Sequence, residues 1–335
     1  HSILTMKEKK IAVLGLGYVG LPLAVVLSSS YKVIGFDISS SRVRQLKKGF
    51  DLTFEVDAQK LKNCQKKNLF VTNNTEMISE CNIYIATVPT PIDKKKKPDF
   101  SSILNVCKII GKALKKGDIV VFESTVHPGA TEEICGPELE KHSNALKSGR
   151  DFFLGYSPER VNPGDKIHTI DKINKVISAQ NEDVEKILFE VYSKLTSGEV
   201  FVAKNIRVAE ASKVIENSQR DINIAFINEI TKICQKVGIS IFDVLDASST
   251  KWNFLKFEPG LVGGHCIGVD PYYLTFKSKK LNYIPKIIEA GRKINDSMQN
   301  IIAYEINKYL NKDYQSKLLF IGVSFKANCG DTRNS

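Results

Sequence analysis

The run Gly15-Leu16-Gly17-Tyr18-Val19-Gly20 constrains what this chain can fold into more than any other feature. It follows an apolar stretch, Lys10–Leu14, that reads as a buried strand, and it opens a stretch of helical character. Glycines at the first, third and sixth places permit a tight strand-to-helix turn and bring backbone N–H groups close to a pyrophosphate at the helix N-terminus. Asp37 ends the next β-branched run, 17 residues beyond Gly20, where a carboxylate accepts both hydroxyls of a ribose. The arrangement points to a dinucleotide, and to NAD over NADP because a 2′-phosphate would be repelled by Asp37. Arg42, nearby, pulls the other way. A glycine-rich turn with only a structural use is the competing reading.

The same alternation continues along the chain. Short β-branched runs at Lys32–Phe36, Leu69–Thr72, Ile83–Val88 and Ile119–Glu123 alternate with helical stretches such as Ser101–Leu114, and Phe152–Ser157 reads as a sixth strand. This is the pattern of an α/β fold, a parallel sheet wound by helices on both faces, and it predicts a Rossmann-type NAD-binding domain over residues 7–203. Val208–Lys236 has neither Pro nor Gly and predicts one long helix, the spine of a helical central domain over 204–312. Long helices so placed often make dimer contacts, so a homodimer is expected. After a Gly/Pro-rich segment, Glu258–Pro271, helical periodicity resumes through Pro285–Leu310, and Lys317–Gly322 reads as a further strand. A strand with no following helix and strand cannot bury its faces, so residues 313–335 are expected to be the truncated start of another α/β unit.

Composition narrows the function classes. At 335 residues the chain has room for two domains and part of a third, and 42% apolar with 25% charged residues excludes a disordered or collagen-like chain. No apolar run is long enough to cross a membrane, and the first residues lack the apolar core of an export signal, so a cytoplasmic protein with no membrane partner is expected. The seven cysteines show no Cys-x-x-Cys spacing, which argues against both a disulfide framework and a metal site. The net charge of +11 comes from Lys spread over helix faces without interleaved aromatics, which argues against nucleic acid, while a positive field suits a polyanionic small substrate.

Three further groups of residues carry possible chemistry. In Gly263-Gly264-His265-Cys266-Ile267-Gly268-Val269-Asp270-Pro271 two glycines let the backbone expose a thiol, and a carboxylate four residues later can order a water or a proton-transfer partner. A buried structural cysteine is the commoner fate of such a residue. Lys213, Asn217 and Arg220 share one helix face with Val214, Ile215 and Ile224, either as a solvated stripe or as a grip for an oxyanion and a phosphate. Ser157-Pro158-Glu159-Arg160 and Glu123-Ser124-Thr125 follow the sixth and fifth strands, where parallel sheets bind ligands. Glu159 is there a candidate acid/base, or a surface ion pair with Arg160.

Taken in order, Gly-Leu-Gly-Tyr-Val-Gly-Leu-Pro at 15–22, Val-Pro-Thr-Pro at 88–91, Glu-Ser-Thr-Val at 123–126, Ser-Pro-Glu-Arg-Val-Asn-Pro-Gly-Asp at 157–165 and Gly-Gly-His-Cys at 263–266 resemble the UDP-glucose/GDP-mannose dehydrogenase family. The runs at 214–225 and 260–275 look most like its UDP-N-acetylhexosamine 6-dehydrogenase branch, whose substrates are UDP-GlcNAc and UDP-GalNAc. UDP-glucose enzymes usually carry Ser or Tyr before the cysteine and Lys before the aspartate, where this chain has His265 and Val269.

The resemblance implies a four-electron oxidation of a sugar C6 hydroxyl to the carboxylate, with NAD as cofactor, through a thiohemiacetal and then a thioester on Cys266. It further implies that Lys213 and Asn217 hold the C6 oxyanion, that Asp270 and a water ordered by Thr125 move protons, and that Glu159 is the base for thioester hydrolysis. By the same likeness Gly15, Gly17, Tyr18, Val19, Gly20, Asp37, Arg42, Thr87, Pro89, Thr90, Ser124, Thr125 and Arg333 contact the dinucleotide. Glu159, Arg160, Lys213, Asn217, Arg220, Phe254, Gly260, Gly263, Phe325 and Lys326 contact the nucleotide sugar, and residues 313–335 begin a UDP-binding domain. A chain ending at Ser335 is then expected to keep NAD binding and to bind the UDP-sugar poorly. Two other readings stand beside this one: a two-electron dehydrogenase of the 3-hydroxyacid type, and a non-catalytic NAD-binding regulator.

Overall fold

The computed structural model describes residues 8–264, 266–310, 316–322 and 324. The chain divides into two compact units, with the boundary after Lys213.

In the first unit the described residues form one eight-stranded sheet. Its strands are β1 (Lys10–Leu14), β2 (Lys32–Phe36), β3 (Leu69–Thr72), β4 (Ile83–Ala86), β5 (Ile119–Phe122), β6 (Phe153–Tyr156), β7 (Lys175–Ala179) and β8 (Val200–Val202), in the order β3-β2-β1-β4-β5-β6-β7-β8. Successive side chains of a strand point to opposite faces, and here both faces are covered. Ile11, Val13, Ile83, Ile85, Ile119 and Val121 join one apolar core, which includes Leu21 and Ala24 of helix α1 (Gly20–Leu27). Ala12, Leu14, Tyr84, Ala86, Val120 and Phe122 join a second core, which includes Ile103, Val106 and Ile110 of the helix over Ser101–Ala113. That double burial is why these strands read as continuous apolar runs.

The six strands predicted from the sequence are present and mutually parallel. The sheet departs from expectation beyond them, because β7 runs antiparallel to β6, with Gly155 opposite Ala179 and Tyr156 opposite Ser178. Its first residue, Lys175, therefore lies at the carboxyl end of β6. The strand order reverses between β1 and β4, and a crevice for ligands opens at the carboxyl ends of the strands at such a point.

Ile206–Val237 is one helix of 32 residues, longer at both ends than Val208–Lys236. The second unit takes its later turns, from Val214, together with α-helices over Ile241–Ser248, Asp270–Lys280 and Lys286–Tyr309. Beside apolar side chains such as Ile227, Tyr273 and Met298, this unit buries a charged network. The Arg292 guanidinium meets Asp221 at 2.6 Å, with side chains 7% and 0% exposed, and also pairs with Asp296. Tyr272 donates to Asp296 at 2.9 Å, and Asn295 donates to the Asp221 carboxylate at 2.7 Å. Lys317–Gly322 does not form the strand predicted for it: no described strand pairs with it, and Leu319, Phe320 and Ile321 stay largely exposed. An extended segment without a neighbouring ladder leaves its backbone groups to water. Ile215, expected among the apolar neighbours of the polar stripe, is also exposed, while Val214 is buried.

Candidate active site

The dinucleotide crevice of the first unit is built from strand ends. The N–H of Gly15 bonds to the carbonyl of Phe36 at 2.8 Å, that of Thr87 to Leu14 at 2.9 Å, that of Glu123 to Ala86 at 2.9 Å, and that of Ser157 to Phe122 at 3.0 Å. Each parallel strand thus hands its last backbone bond to the residue just past its neighbour's end, and the loops leave from one common rim. Gly15 adopts φ +98°, and a Cβ there would lie 3.0 Å from the Thr87 carbonyl oxygen. A Cβ on Gly20 would sit 1.7 Å from the Gly15 carbonyl oxygen, so the turn closes only with glycine. At Gly17 a Cβ would meet nothing within 4 Å, which leaves this backbone open to a close-approaching phosphate. On these grounds the residues present fit a dinucleotide.

Asp37 is held where its carboxylate reaches the turn, accepting from the Leu16 N–H at 2.9 Å and the Ser39 N–H at 2.8 Å. Arg42 is already committed. It donates to the Leu16 carbonyl at 2.9 Å and to Asp51 at 2.8 Å. Burial works against the Asp51 charge, yet bonds from the Thr53 hydroxyl, the Val56 and Thr53 N–H groups and Arg42 outweigh it and hold the carboxyl below its usual range. The remaining loops are tied to one another. Thr87 donates to the Gly15 carbonyl at 2.7 Å, Thr90 to Thr125 at 2.6 Å and Ser124 to Val88 at 2.6 Å, while Pro89 is exposed on the same segment. Tyr18 and Val19 are half-buried at the start of α1.

Behind this rim lies a buried cluster that sequence reasoning missed. Lys175 is 0% exposed, with its ammonium 3.0 Å from Glu123 and 3.7 Å from Glu159. Tyr192 donates to the other oxygen of Glu123 at 2.5 Å. Burial first, and the Glu159 charge after the opposing pull of Lys175, push the Glu123 carboxyl up. Glu159 pairs with Lys175 and accepts from the Val161 N–H; a surface pair with Arg160 is not what holds it. Arg160 lines a cavity of about 310 Å³ with Asn174, Glu199, Phe201 and Ser212. The available signal was Lys175 itself, a charged residue opening the apolar run Lys-Val-Ile-Ser. Glu210, also missed, is fully buried and accepts from the N–H groups of Gly129 and Thr131, tying the long helix to the loop that follows Thr125. One turn later Lys213 is 8% exposed.

In the second unit the turn holding Cys266 folds onto the start of the helix Asp270–Lys280. The Cys266 carbonyl accepts from the N–H groups of Val269 at 3.0 Å and Asp270 at 2.9 Å. Gly264 takes φ +76°, a conformation that glycine adopts without strain. Cys266 is half-buried, whereas Cys81, Cys107, Cys135 and Cys234 are buried free thiols. Asp270, 2% exposed, accepts from the Asn217 side-chain amide, so the helix stripe and the cysteine turn are brought together. Arg220 is exposed one turn beyond Asn217, and Phe254 and Gly263 are half-buried. Gly260 exchanges two bonds with the Asn228 side chain, each of 2.9 Å. His265, Phe325, Lys326 and Arg333 lie outside the described residues. Among the described residues no cluster of side chains suits a metal ion, and no helix is long and apolar enough to cross a membrane.

A crevice shaped for a dinucleotide, followed by a helical unit presenting a cysteine, an amide and a carboxylate, defines a dehydrogenase of two functional parts. Residues 9–196 match the NAD binding domain and residues 207–297 the central domain of the UDP-glucose/GDP-mannose dehydrogenase family, and the chain belongs to that family, with NAD as its cofactor. The chain is 52% identical over 332 residues to the protein CapL of Staphylococcus aureus, covering 98% of this chain and 77% of that one. It is 50% identical over 334 residues to a UDP-N-acetyl-D-glucosamine 6-dehydrogenase of Pseudomonas aeruginosa, covering 98% and 78%. Among solved structures it resembles a UDP-D-ManNAc dehydrogenase of Pyrococcus horikoshii, with TM-score 0.88 and 30% identity over 97% of this chain and 78% of that one.

Proposed function

We propose that this chain oxidises the C6 hydroxyl of a UDP-N-acetylhexosamine, UDP-GlcNAc or UDP-GalNAc, to the uronic acid by a four-electron route through Cys266. The observation that carries the reading is the bond from Asn217 to Asp270, which joins the helix stripe to the turn bearing the cysteine. The relatives named for UDP-N-acetyl-D-glucosamine, 50% and 48% identical, support the substrate class. NAD, when bound, supplies the hydride acceptor for each of the two oxidations.

The chain's own residues do the rest. The Cys266 thiolate captures the C6 aldehyde, Lys213 and Asn217 hold the oxyanion, and Asp270 with a water ordered by Thr125 carries protons. Glu159 takes the proton of the water that releases the acid. Gly15, Gly17, Gly20, Asp37, Thr87, Thr90 and Ser124 receive the cofactor, and Arg160, Arg220, Phe254, Gly260 and Gly263 receive the nucleotide sugar. Residues 7–203 then serve as the NAD-binding domain, 204–312 as the domain of the catalytic cysteine and 313–335 as the start of a UDP-sugar-binding domain, in a cytoplasmic enzyme. A homodimer fits the apolar side chains that the long helix leaves exposed, Phe226, Ile233 and Val237.

The test is stoichiometric. With limiting UDP-GlcNAc or UDP-GalNAc and excess NAD, two NADH per sugar are expected, lost in Cys266→Ser. One NADH per sugar, unchanged in Cys266→Ser, overturns the covalent route in favour of a simple alcohol dehydrogenase. NAD binding without reduction by any nucleotide sugar favours the regulator.

A further inference from the structure

The buried cluster behind the strand ends has a charge imbalance that gives it a use. Two carboxylates, Glu123 and Glu159, face one cation, Lys175, and their side chains are 0%, 12% and 0% exposed. Glu159 is the least buried of the three. The others are closed in: Glu123 at the end of β5 is held by Lys175 from β7 and by Tyr192 from the helix Glu182–Leu195. Arg160 is the remaining charged group facing Lys175. The antiparallel run of β7 is what makes the cluster possible, since a parallel β7 would begin at the opposite edge of the sheet.

We propose that Lys175 is a positioning residue for Glu159: anchored in the sheet by Glu123 and Tyr192, its ammonium holds the Glu159 carboxylate in the place from which it serves as the base for thioester hydrolysis. The inference rests on the role assigned to Glu159 above. In that step the water oxygen bonds to the thioester carbon, the carbon–sulfur bond breaks, Cys266 leaves as the thiolate and the water proton passes to Glu159. Once Glu159 is protonated, Lys175 is left to pair with Glu123 alone, so the cation never becomes a buried unpaired charge. The Val161 N–H fixes the carboxylate from the other side.

The test quenches the enzyme during turnover of UDP-GlcNAc with NAD and follows the acylated Cys266 peptide by mass spectrometry. Glu159→Gln and Lys175→Met are each expected to slow deacylation roughly 10- to 100-fold and to accumulate the acyl-enzyme. Lys175→Arg, which keeps a cation at this place, should restore the rate. A slow Glu159→Gln beside a Lys175→Met of ordinary rate overturns the positioning role and leaves Glu159 as base. Ordinary deacylation in Glu159→Gln overturns the assignment of the base, and this inference with it. Should Lys175→Met fail to fold, Glu123→Gln/Lys175→Met removes the pair together and carries the test: slow deacylation relative to Glu123→Gln supports positioning, and equal rates overturn it.

Discussion

The cofactor crevice of the first unit and the cysteine turn of the second are held by different forces. At the strand ends of the first unit the cofactor crevice is mostly backbone: glycine turns, carbonyls and N–H groups, with Thr87, Thr90 and Ser124 tying one loop to the next. In the second unit the position of the cysteine turn depends on side chains, namely Asn217 on Asp270, Asn228 on Gly260, and the Arg292–Asp221–Asp296 network behind them. A backbone scaffold tolerates most side-chain changes and fails at its glycines. A network of buried charges fails at any one of its members, because the partner left behind is unpaired in the interior.

The largest expected effect tests that contrast directly. Arg292→Met leaves Asp221, which is fully buried, without its cation and should destabilise the second unit by about 3–5 kcal/mol, read as a lower midpoint in urea. Adding Asp221→Leu should recover most of the loss. If the single variant unfolds like the parent, the network does not hold this unit, and the contrast falls.

The first unit also holds buried charged groups, and Glu210 among them sharpens the comparison. Glu210 is buried, and burial outweighs the bonds it accepts from Thr131 and Gly129, pushing its carboxyl from 4.5 up to about 7. A raised carboxyl pKa means that the folded state binds a proton more readily than the unfolded chain. Stability should therefore be highest below pH 4.5 for this group and decline as pH rises toward 7, by up to about 3 kcal/mol. Chemical denaturation across this range should show the slope, and Glu210→Gln should flatten it. An unchanged slope in the variant would assign it to another group.

The contrast also explains what was legible in the sequence. Strands β1 to β6, the glycine turn and Asp37 were readable because local pattern determines them: buried β-branched runs, and a turn that only glycine closes. Cys266, Asn217 and Asp270 drew notice as chemistry-bearing residues, but their meeting depends on two segments far apart in sequence, a relation that spacing does not encode. Lys175 and Tyr192 were invisible for the same reason, since each acquires its meaning from Glu123, some fifty or more residues away. The strand expected at Lys317–Gly322 shows the converse: an apolar run alone does not make a strand without a partner ladder.

On the backbone side, Gly20→Ala should cost about 1–3 kcal/mol in stability and weaken NAD binding, because its Cβ would overlap the Gly15 carbonyl at 1.7 Å and the Thr87 hydroxyl at 2.4 Å. Gly17→Ala, whose Cβ meets no protein atom within 4 Å, should leave stability nearly unchanged and act on NAD affinity alone. Equal stability losses in the two variants, by calorimetry, would mean that the turn is not limited by the Gly15–Gly20 approach.

The smallest effect concerns cofactor choice, where a side chain does decide on the backbone-built side. Asp37 repels a 2′-phosphate, and Arg42 would attract one, but Asp51 holds the Arg42 guanidinium at 2.8 Å with its own carboxylate 1% exposed. Asp51→Asn removes that charge and leaves Arg42 available to a 2′-phosphate while Asp37 stays in place. The ratio of kcat/KM for NADP over NAD should rise about tenfold, a change of about 1.4 kcal/mol, with the NAD reaction itself little altered. Arg42→Ala in the same background should return the ratio to its starting value, since the gain requires the guanidinium. If Asp51→Asn leaves the ratio where it was, Asp37 alone sets the preference, and the Arg42–Asp51 pair serves only to brace the loop.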